Sequence, residues 1–185
     1  MMLAINIQGT SGSGKSTLVR SIMLHYQANA PCYVDGRKQP HHYLLSVEGR
    51  PCLVVPGHYA TPCGGCDTLK TVDDVYATVH KAIEAKSNVL YEGIMVADDT
   101  RRAIDLNSIA EVHVILLTTP IETCLASIQN RRDARGDTRP LNPKNTISRA
   151  RAHENGCKRL EAEGVAVHRL SRDEALAKVK ELLNL

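Results

Sequence analysis

The stretch Gly9-Thr10-Ser11-Gly12-Ser13-Gly14-Lys15-Ser16-Thr17 follows directly on the apolar run Leu3-Ala4-Ile5-Asn6-Ile7. Behind it, Leu18, Ile22 and Tyr26 recur at helical spacing from Lys15 to about His25. A strand, a glycine loop and a helix in that order form a strand-loop-helix unit. The loop matches G-x-x-x-x-G-K-[ST] in full, through Gly9, Gly14, Lys15 and Ser16. In that context the glycines let backbone N–H groups turn inward around phosphate oxygens. Lys15 reaches the β and γ phosphates, and Ser16 coordinates magnesium beside them. The whole loop, Gly9 to Thr17, is therefore the expected ATP cradle.

The rest of the chain alternates strands and helices. Cys32-Tyr33-Val34 reads as a short strand ending at Asp35-Gly36. Tyr43–Val47 and Cys52–Val55 flank Glu48-Gly49-Arg50-Pro51 as an inserted hairpin. Val72, Val75, Tyr76, Val79 and Ile83 repeat at three and four, with Asp73 and Asp74 in the first turn, which predicts a helix to about Lys86. Asn88 to Tyr91 reads as a buried strand, Thr100 to Leu106 as a short helix and Glu111 to Leu117 as another strand. Helices follow from Ile121 to about Asn130 and from about Pro143 to Glu163. Val165-Ala166-Val167 and a helix from Arg172 to Leu183 close the chain. The layout is α/β with a mostly parallel sheet, within one domain of 185 residues. Phe and Trp are absent and there are six Tyr, so rings for stacking on bases are scarce.

Nowhere do about 18 consecutive apolar residues occur, and no basic leader opens the chain; no membrane partner and a cytosolic location are expected. The six cysteines read as reduced thiols. Cys63-Gly-Gly-Cys66 lacks a second pair of ligands at zinc-site spacing, so it reads as part of a structural or substrate loop.

A bound nucleotide needs an acid at a neighbouring strand end. Glu92 is the leading candidate, holding magnesium through a water, against a plain strand-end carboxylate facing solvent. Asp35 follows the preceding strand and suits a group that takes a proton from an acceptor hydroxyl, or equally a turn-forming Asp before Gly. From Arg131 to Arg159 there are nine Lys or Arg against three acids, while the rest of the chain carries 14 basic and 17 acidic residues. Arg131, Arg132, Arg135 and Arg139 fall between two helices around Gly136 and Pro140. That is how a mobile lid over phosphates, about 131–143, would be built, and its arginines would stabilise a phosphoryl group in transfer.

With the glycine loop first, a strand-end acid midway and arginines late, the chain resembles the P-loop kinases of the nucleoside and nucleotide kinase group over nearly its whole length. The resemblance implies a P-loop NTPase fold with a five-stranded, mostly parallel sheet, and magnesium-ATP as donor. It also implies that the nucleobase packs between Arg131 or Arg132 and the loop near Ser171 and Arg172.

The segment from Pro56 to Leu69 departs from small-molecule kinases. It is dense in glycine and polar groups, as binding loops are. Gly64-Gly65 permits close backbone approach, and Asp67 either caps the following helix or acts as catalytic base. Its pattern G-H-Y-x-T-x-x-G-G-x-D-T-L looks like the bacteriophage P-loop kinases that phosphorylate 5-hydroxymethyluracil in DNA during thymidine hypermodification. That resemblance implies a DNA acceptor and a pocket lined by His58, Tyr59, Asp67 and Thr68, with Tyr59 as stacking platform and the host cytoplasm as location. The basic segment, Arg139 included, would then also track the DNA backbone. Two other readings stand beside it. A kinase for a free nucleoside or nucleotide suits the modest net charge of +3, and a non-catalytic nucleotide-binding switch or ATPase is the different-class alternative.

Overall fold

The computed structural model describes residues 1–61 and 64–185. In chain order its elements are β1 (Leu3–Gln8), α1 (Lys15–Met23), β2 (Ala28–Cys32), β3 (His42–Ser46), β4 (Leu53–Pro56), a single 3-10 turn (Cys66–Thr68), α2 (Val72–Glu84), β5 (Asn88–Glu92), α3 (Ile94–Ala97), α4 (Thr100–Asn107), β6 (Glu111–Leu117), α5 (Ile121–Asp133), α6 (Pro143–Ala162), β7 (Ala166–Leu170) and α7 (Arg172–Leu183).

The strands form one sheet in the order β2-β3-β4-β5-β1-β6-β7. β4, β5, β1, β6 and β7 pair in parallel, and β3 is antiparallel to both β2 and β4. The sheet is therefore seven-stranded and mixed, where a mostly parallel sheet of five was expected. The hairpin explains the difference, because its second strand, β4, is also the parallel neighbour of β5, and β3 and β2 extend the sheet outward from it. The strand expected at Cys32-Tyr33-Val34 is instead Ala28–Cys32. Its sequence, Ala-Asn-Ala-Pro-Cys, is almost wholly exposed, so no alternation marks it, and Pro31 is tolerated because β2 is an edge strand.

Both faces of the sheet are covered. Ala4, Val89, Tyr91, Val112 and Val114 pack against residues of α2, α4 and α6, among them Val79, Leu106 and Leu160. Ile5, Ile7, Leu90 and Ile115 point the other way, onto Leu18 and Ile22 of α1 and Val179 and Leu183 of α7. The alternation along β1 is the period of two that a strand buried on both faces requires. Each fully buried Leu or Ile contributes about 1.5–3 kcal/mol, so these faces hold the strand ends in place.

The helix starts follow local capping chemistry. The Thr71 hydroxyl accepts from Asp74 N–H at α2, Asp99 caps α4, and Asn142 followed by Pro143 opens α6. Ser171 and Glu174 form a capping box at α7. α5 runs to Asp133, so Arg131 and Arg132 belong to its last turn rather than to the connection after it. The four-residue α3, set off by Gly93, has no counterpart in the sequence reading. Among the described residues no helix is long and apolar enough to cross a membrane.

Candidate active site

The site lies at the carboxyl ends of the parallel strands, where α/β sheets present their loops. A cleft of about 810 Å³ is lined by the loop from Ser11 to Thr17, by Gly64, Asp67, Thr68 and Glu92, and by Arg131, Ser171 and Arg172.

The glycine loop leaves β1 and delivers α1 at Lys15. Gly12 has φ +83°, and a Cβ there would stand 2.3 Å from the Cys124 carbonyl oxygen, so only glycine lets the loop sit on α5. The Lys15 ammonium donates to the carbonyls of Gly9 at 2.8 Å and Thr10 at 3.0 Å, and the residue is 8% exposed. Burial pulls its pKa below the usual lysine value, opposed by the carboxylates of Glu92 and then Asp67.

Register places Glu92 beside Ile7, the penultimate residue of β1. Glu92 is 1% exposed, and its Oε1 accepts from the Ser16 hydroxyl at 2.6 Å. Burial raises its pKa, with Lys15 and the Ser16 hydrogen bond acting against that rise. A buried carboxylate, a hydroxyl and a buried ammonium thus meet at the mouth of a loop that opens a helix. Such a grouping can hold a polyanion together with a hard cation. Among the described residues no group of three His, Cys, Asp or Glu side chains is arranged to hold a metal ion. Cys63 lies outside the described residues, and Cys66 is buried with its thiol directed at the Pro56 carbonyl, 3.8 Å away.

The segment after β4 folds against Glu92 through its glycines. Gly65 has φ +85°, and a Cβ there would stand 2.3 Å from Glu92 Oε1. The Thr68 hydroxyl donates to the Gly65 carbonyl at 2.8 Å and accepts from His58 N–H at 3.0 Å. Asp67 accepts from Ile94 N–H at 2.9 Å and from Met95 N–H at 3.3 Å. It therefore caps α3 across the cleft and not the helix that follows it, which Thr71 caps.

Six of the expected site residues do not line the cleft. His58 is buried and bridged to Gly65. The Tyr59 ring is 4% exposed and packs edge-on to Tyr43, with centroids 6.2 Å apart; it is core and offers no stacking face. Burial raises the Tyr59 phenol well above its usual pKa. Asp35 is on an exposed turn closed by Arg37 N–H to the Val34 carbonyl, beyond the edge strand β2. Arg132 donates to the Arg139 carbonyl at 2.9 Å, and Arg139 itself is paired through two hydrogen bonds to Asp137, which holds the Asp137 carboxyl well below the usual range. Arg135 is exposed on the same turn. Arg131, by contrast, reaches the Ser11 hydroxyl at 3.4 Å, and the Arg172 side chain lies 3.4 Å from where a Gly14 Cβ would be.

Sequence reasoning missed three supports. The Thr119 hydroxyl donates to the Ser13 carbonyl at 2.8 Å, and its place at the end of β6 could have signalled it. Arg20 donates to the Thr61 carbonyl at 3.0 Å and Arg37 to the Thr68 carbonyl at 3.2 Å. Both pin the segment after β4, and no local pattern announces either.

A glycine loop, a buried lysine and a strand-end carboxylate around one cleft mark an α/β protein whose site can accept a phosphorylated ligand. No family model matches the chain. A curated protein of Pseudomonas phage PaMx11 named 5-hmdU DNA kinase is 41% identical over 181 residues, 97% of this chain and 96% of that protein. The chain belongs to the 5-hmdU DNA kinase family.

Proposed function

We propose that this chain is an ATP-dependent kinase with a P-loop NTPase fold, and that it transfers the γ-phosphate to the hydroxymethyl oxygen of 5-hydroxymethyluracil in DNA. The observation that carries the reading is the gathering of Lys15, the Ser16–Glu92 pair, Asp67, Thr68 and Arg131 around one cleft, in a chain so closely similar to a protein named for that activity.

Magnesium fits the donor set, since Ser16 and Glu92 offer adjacent oxygens that would hold it, Glu92 through a water, and this ion takes few protein ligands and keeps its waters. When bound it neutralises charge on the β and γ phosphates. Lys15 exchanges its two loop carbonyls for phosphate oxygens. Asp67, at the acceptor side of the cleft, takes the hydroxyl proton as the acceptor oxygen bonds to phosphorus and the bond to the β-phosphate oxygen breaks, leaving ADP. Arg131 and the segment 131–143 close as a lid over the transferring group and exclude water. Arg172 flanks the nucleotide beside Gly14. Gly64 and Thr68 line the acceptor half, where the target base enters out of its stack.

The test is incubation with γ-labelled ATP and magnesium, offering DNA containing 5-hydroxymethyluracil, unmodified DNA, and free nucleosides and nucleoside monophosphates in parallel. Label on the modified DNA alone is expected. Label on a free monomer instead would make this a small-molecule kinase, and hydrolysis without any labelled acceptor would favour a nucleotide switch.

A further inference from the structure

A base-directed DNA kinase must stabilise a strand whose stacking it has interrupted, and aromatic rings are the usual means. This chain has no Phe and no Trp. Of its six tyrosines, Tyr26, Tyr43, Tyr59, Tyr76 and Tyr91 are buried, whereas Tyr33 is 59% exposed.

Tyr33 follows directly on Cys32, the last residue of β2. Cys32 is level with His42, and His42 with Pro56, where the acceptor segment begins. Two antiparallel reversals bring β2 back into the direction of β4, β5 and β1, so Tyr33 leaves the sheet on the same edge as Gly9 and Glu92. Three inter-strand steps separate β2 from β5, or about 14 Å, a distance that a few nucleotides span. The loop that carries Tyr33 is fastened to the acceptor segment at two points. Arg37 donates two hydrogen bonds to the Thr68 carbonyl, each 3.2 Å, and the His41 carbonyl accepts from Gly57 N–H at 2.7 Å. Lys38, exposed on the same loop, supplies a cation for a phosphate.

We infer that the loop 33–41 is the surface over which the DNA strand enters the acceptor site, with Tyr33 stacking on a base that flanks the target and Lys38 on the backbone. This rests on the proposed DNA acceptor. It differs from the expected path along the basic segment 131–159, which lies on the opposite side of the cleft in sheet order, after β6. The tie through Arg37 couples strand binding to the position of Asp67 and Thr68.

Because the chain lacks tryptophan, Tyr33→Trp creates a single reporter that keeps the ring. Its emission is expected to be quenched on titration with a short single-stranded oligonucleotide containing 5-hydroxymethyluracil. Tyr33→Ala is expected to weaken binding of that oligonucleotide roughly 5- to 150-fold, the effect of losing one stacked base. Tyr33→Phe should restore it, and ATP affinity should stay at the wild-type value in all three. An unquenched tryptophan, or an alanine variant that binds the oligonucleotide as tightly as wild type while label still reaches modified DNA, overturns the inference and leaves the kinase reading standing. Absence of label on modified DNA with the wild-type protein overturns the kinase reading, and the entry surface with it.

Discussion

The Ser16 hydroxyl donates to Glu92 Oε1 at 2.6 Å, joining the first turn of α1 to the end of β5. Two oxygens fixed side by side next to Lys15 suit the proposed role of Glu92 in supporting a cation. Glu92→Gln keeps the shape and the acceptor for Ser16 but removes the charge that would support a cation. Transfer is expected to fall at least about 100-fold in kcat, the scale of losing an electrostatic partner in a closed site. Stability should move the other way. Burial raises the folded pKa of Glu92, so the cost of the buried charge is absent below the unfolded value and grows as pH rises through and above about 4.5. Thermal melts at several pH values should find the glutamine variant at least as stable as wild type, with a margin that widens from pH 4.5 upward.

Asp67 binds backbone N–H groups of α3 with both carboxylate oxygens, which raises the choice between cap and base. Asp67→Asn retains an oxygen that can accept from Ile94, so its stability should change by no more than about 1 kcal/mol. As the proton acceptor, it should lose roughly 10²- to 10⁴-fold in kcat with KM for ATP little changed. Near-normal transfer would reduce Asp67 to the cap of α3.

The elements read correctly from sequence are those whose burial repeats along the chain. β6 has both predicted bounds, since Val112 to Leu117 are all buried, and α2 shows its apolar positions at three and four. β2 was misplaced because a solvated edge strand needs no apolar pattern. Lys15, Ser16 and Glu92 stand together at the strand ends as their spacing suggests, because spacing relative to strands is local information. Tyr59 was not legible as core, since the ring it packs against, Tyr43, lies sixteen residues upstream on β3. The contact of Asp67 with Ile94 likewise spans 27 residues and is fixed only by how β4 and β5 pair.

Gly65 is held by two constraints at once, a φ of +85° and the Glu92 carboxylate 2.3 Å from any added Cβ. Gly65→Ala should cost about 1–3 kcal/mol from backbone strain, and more if Glu92 cannot shift. Its second effect is sharper, because any relief displaces the carboxylate from Ser16. Loss of transfer exceeding what reduced folding explains, measured on the folded fraction below the melting transition, is the expected result. Full activity in the folded fraction would show that the close approach does not position Glu92.

The arginines of the proposed lid should separate by geometry. Arg131 lines the cleft and reaches Ser11, whereas Arg139 is exposed and forked onto Asp137. Arg131→Ala is expected to lower kcat/KM for ATP by roughly 10- to 1000-fold. Arg139→Ala should leave it within about twofold, as for an exposed ion pair. Equal losses in steady-state assays would mean that the segment rearranges on closing and brings Arg139 to the phosphates.

His153 of α6 is 1% exposed, and neither ring nitrogen has a hydrogen-bond partner among the described residues. Burial lowers its pKa, with Lys15 adding to the effect, Asp98 opposing it and Arg149 adding again. A folded pKa below the unfolded value of about 6.5 means that the unfolded chain takes up the proton first. The penalty is absent above that value, and stability falls as pH drops through 6.5 toward the folded pKa. His41, His42 and His168 are shifted in the same direction, so the contribution of His153 must be isolated by substitution. His153→Leu removes the titration and two unpaired buried nitrogens at similar volume, so at neutral pH it should match or exceed wild-type stability. Between about pH 7 and 5.5 its Tm should fall less than that of wild type. Parallel Tm curves for the two proteins would assign the acid sensitivity to the other three histidines.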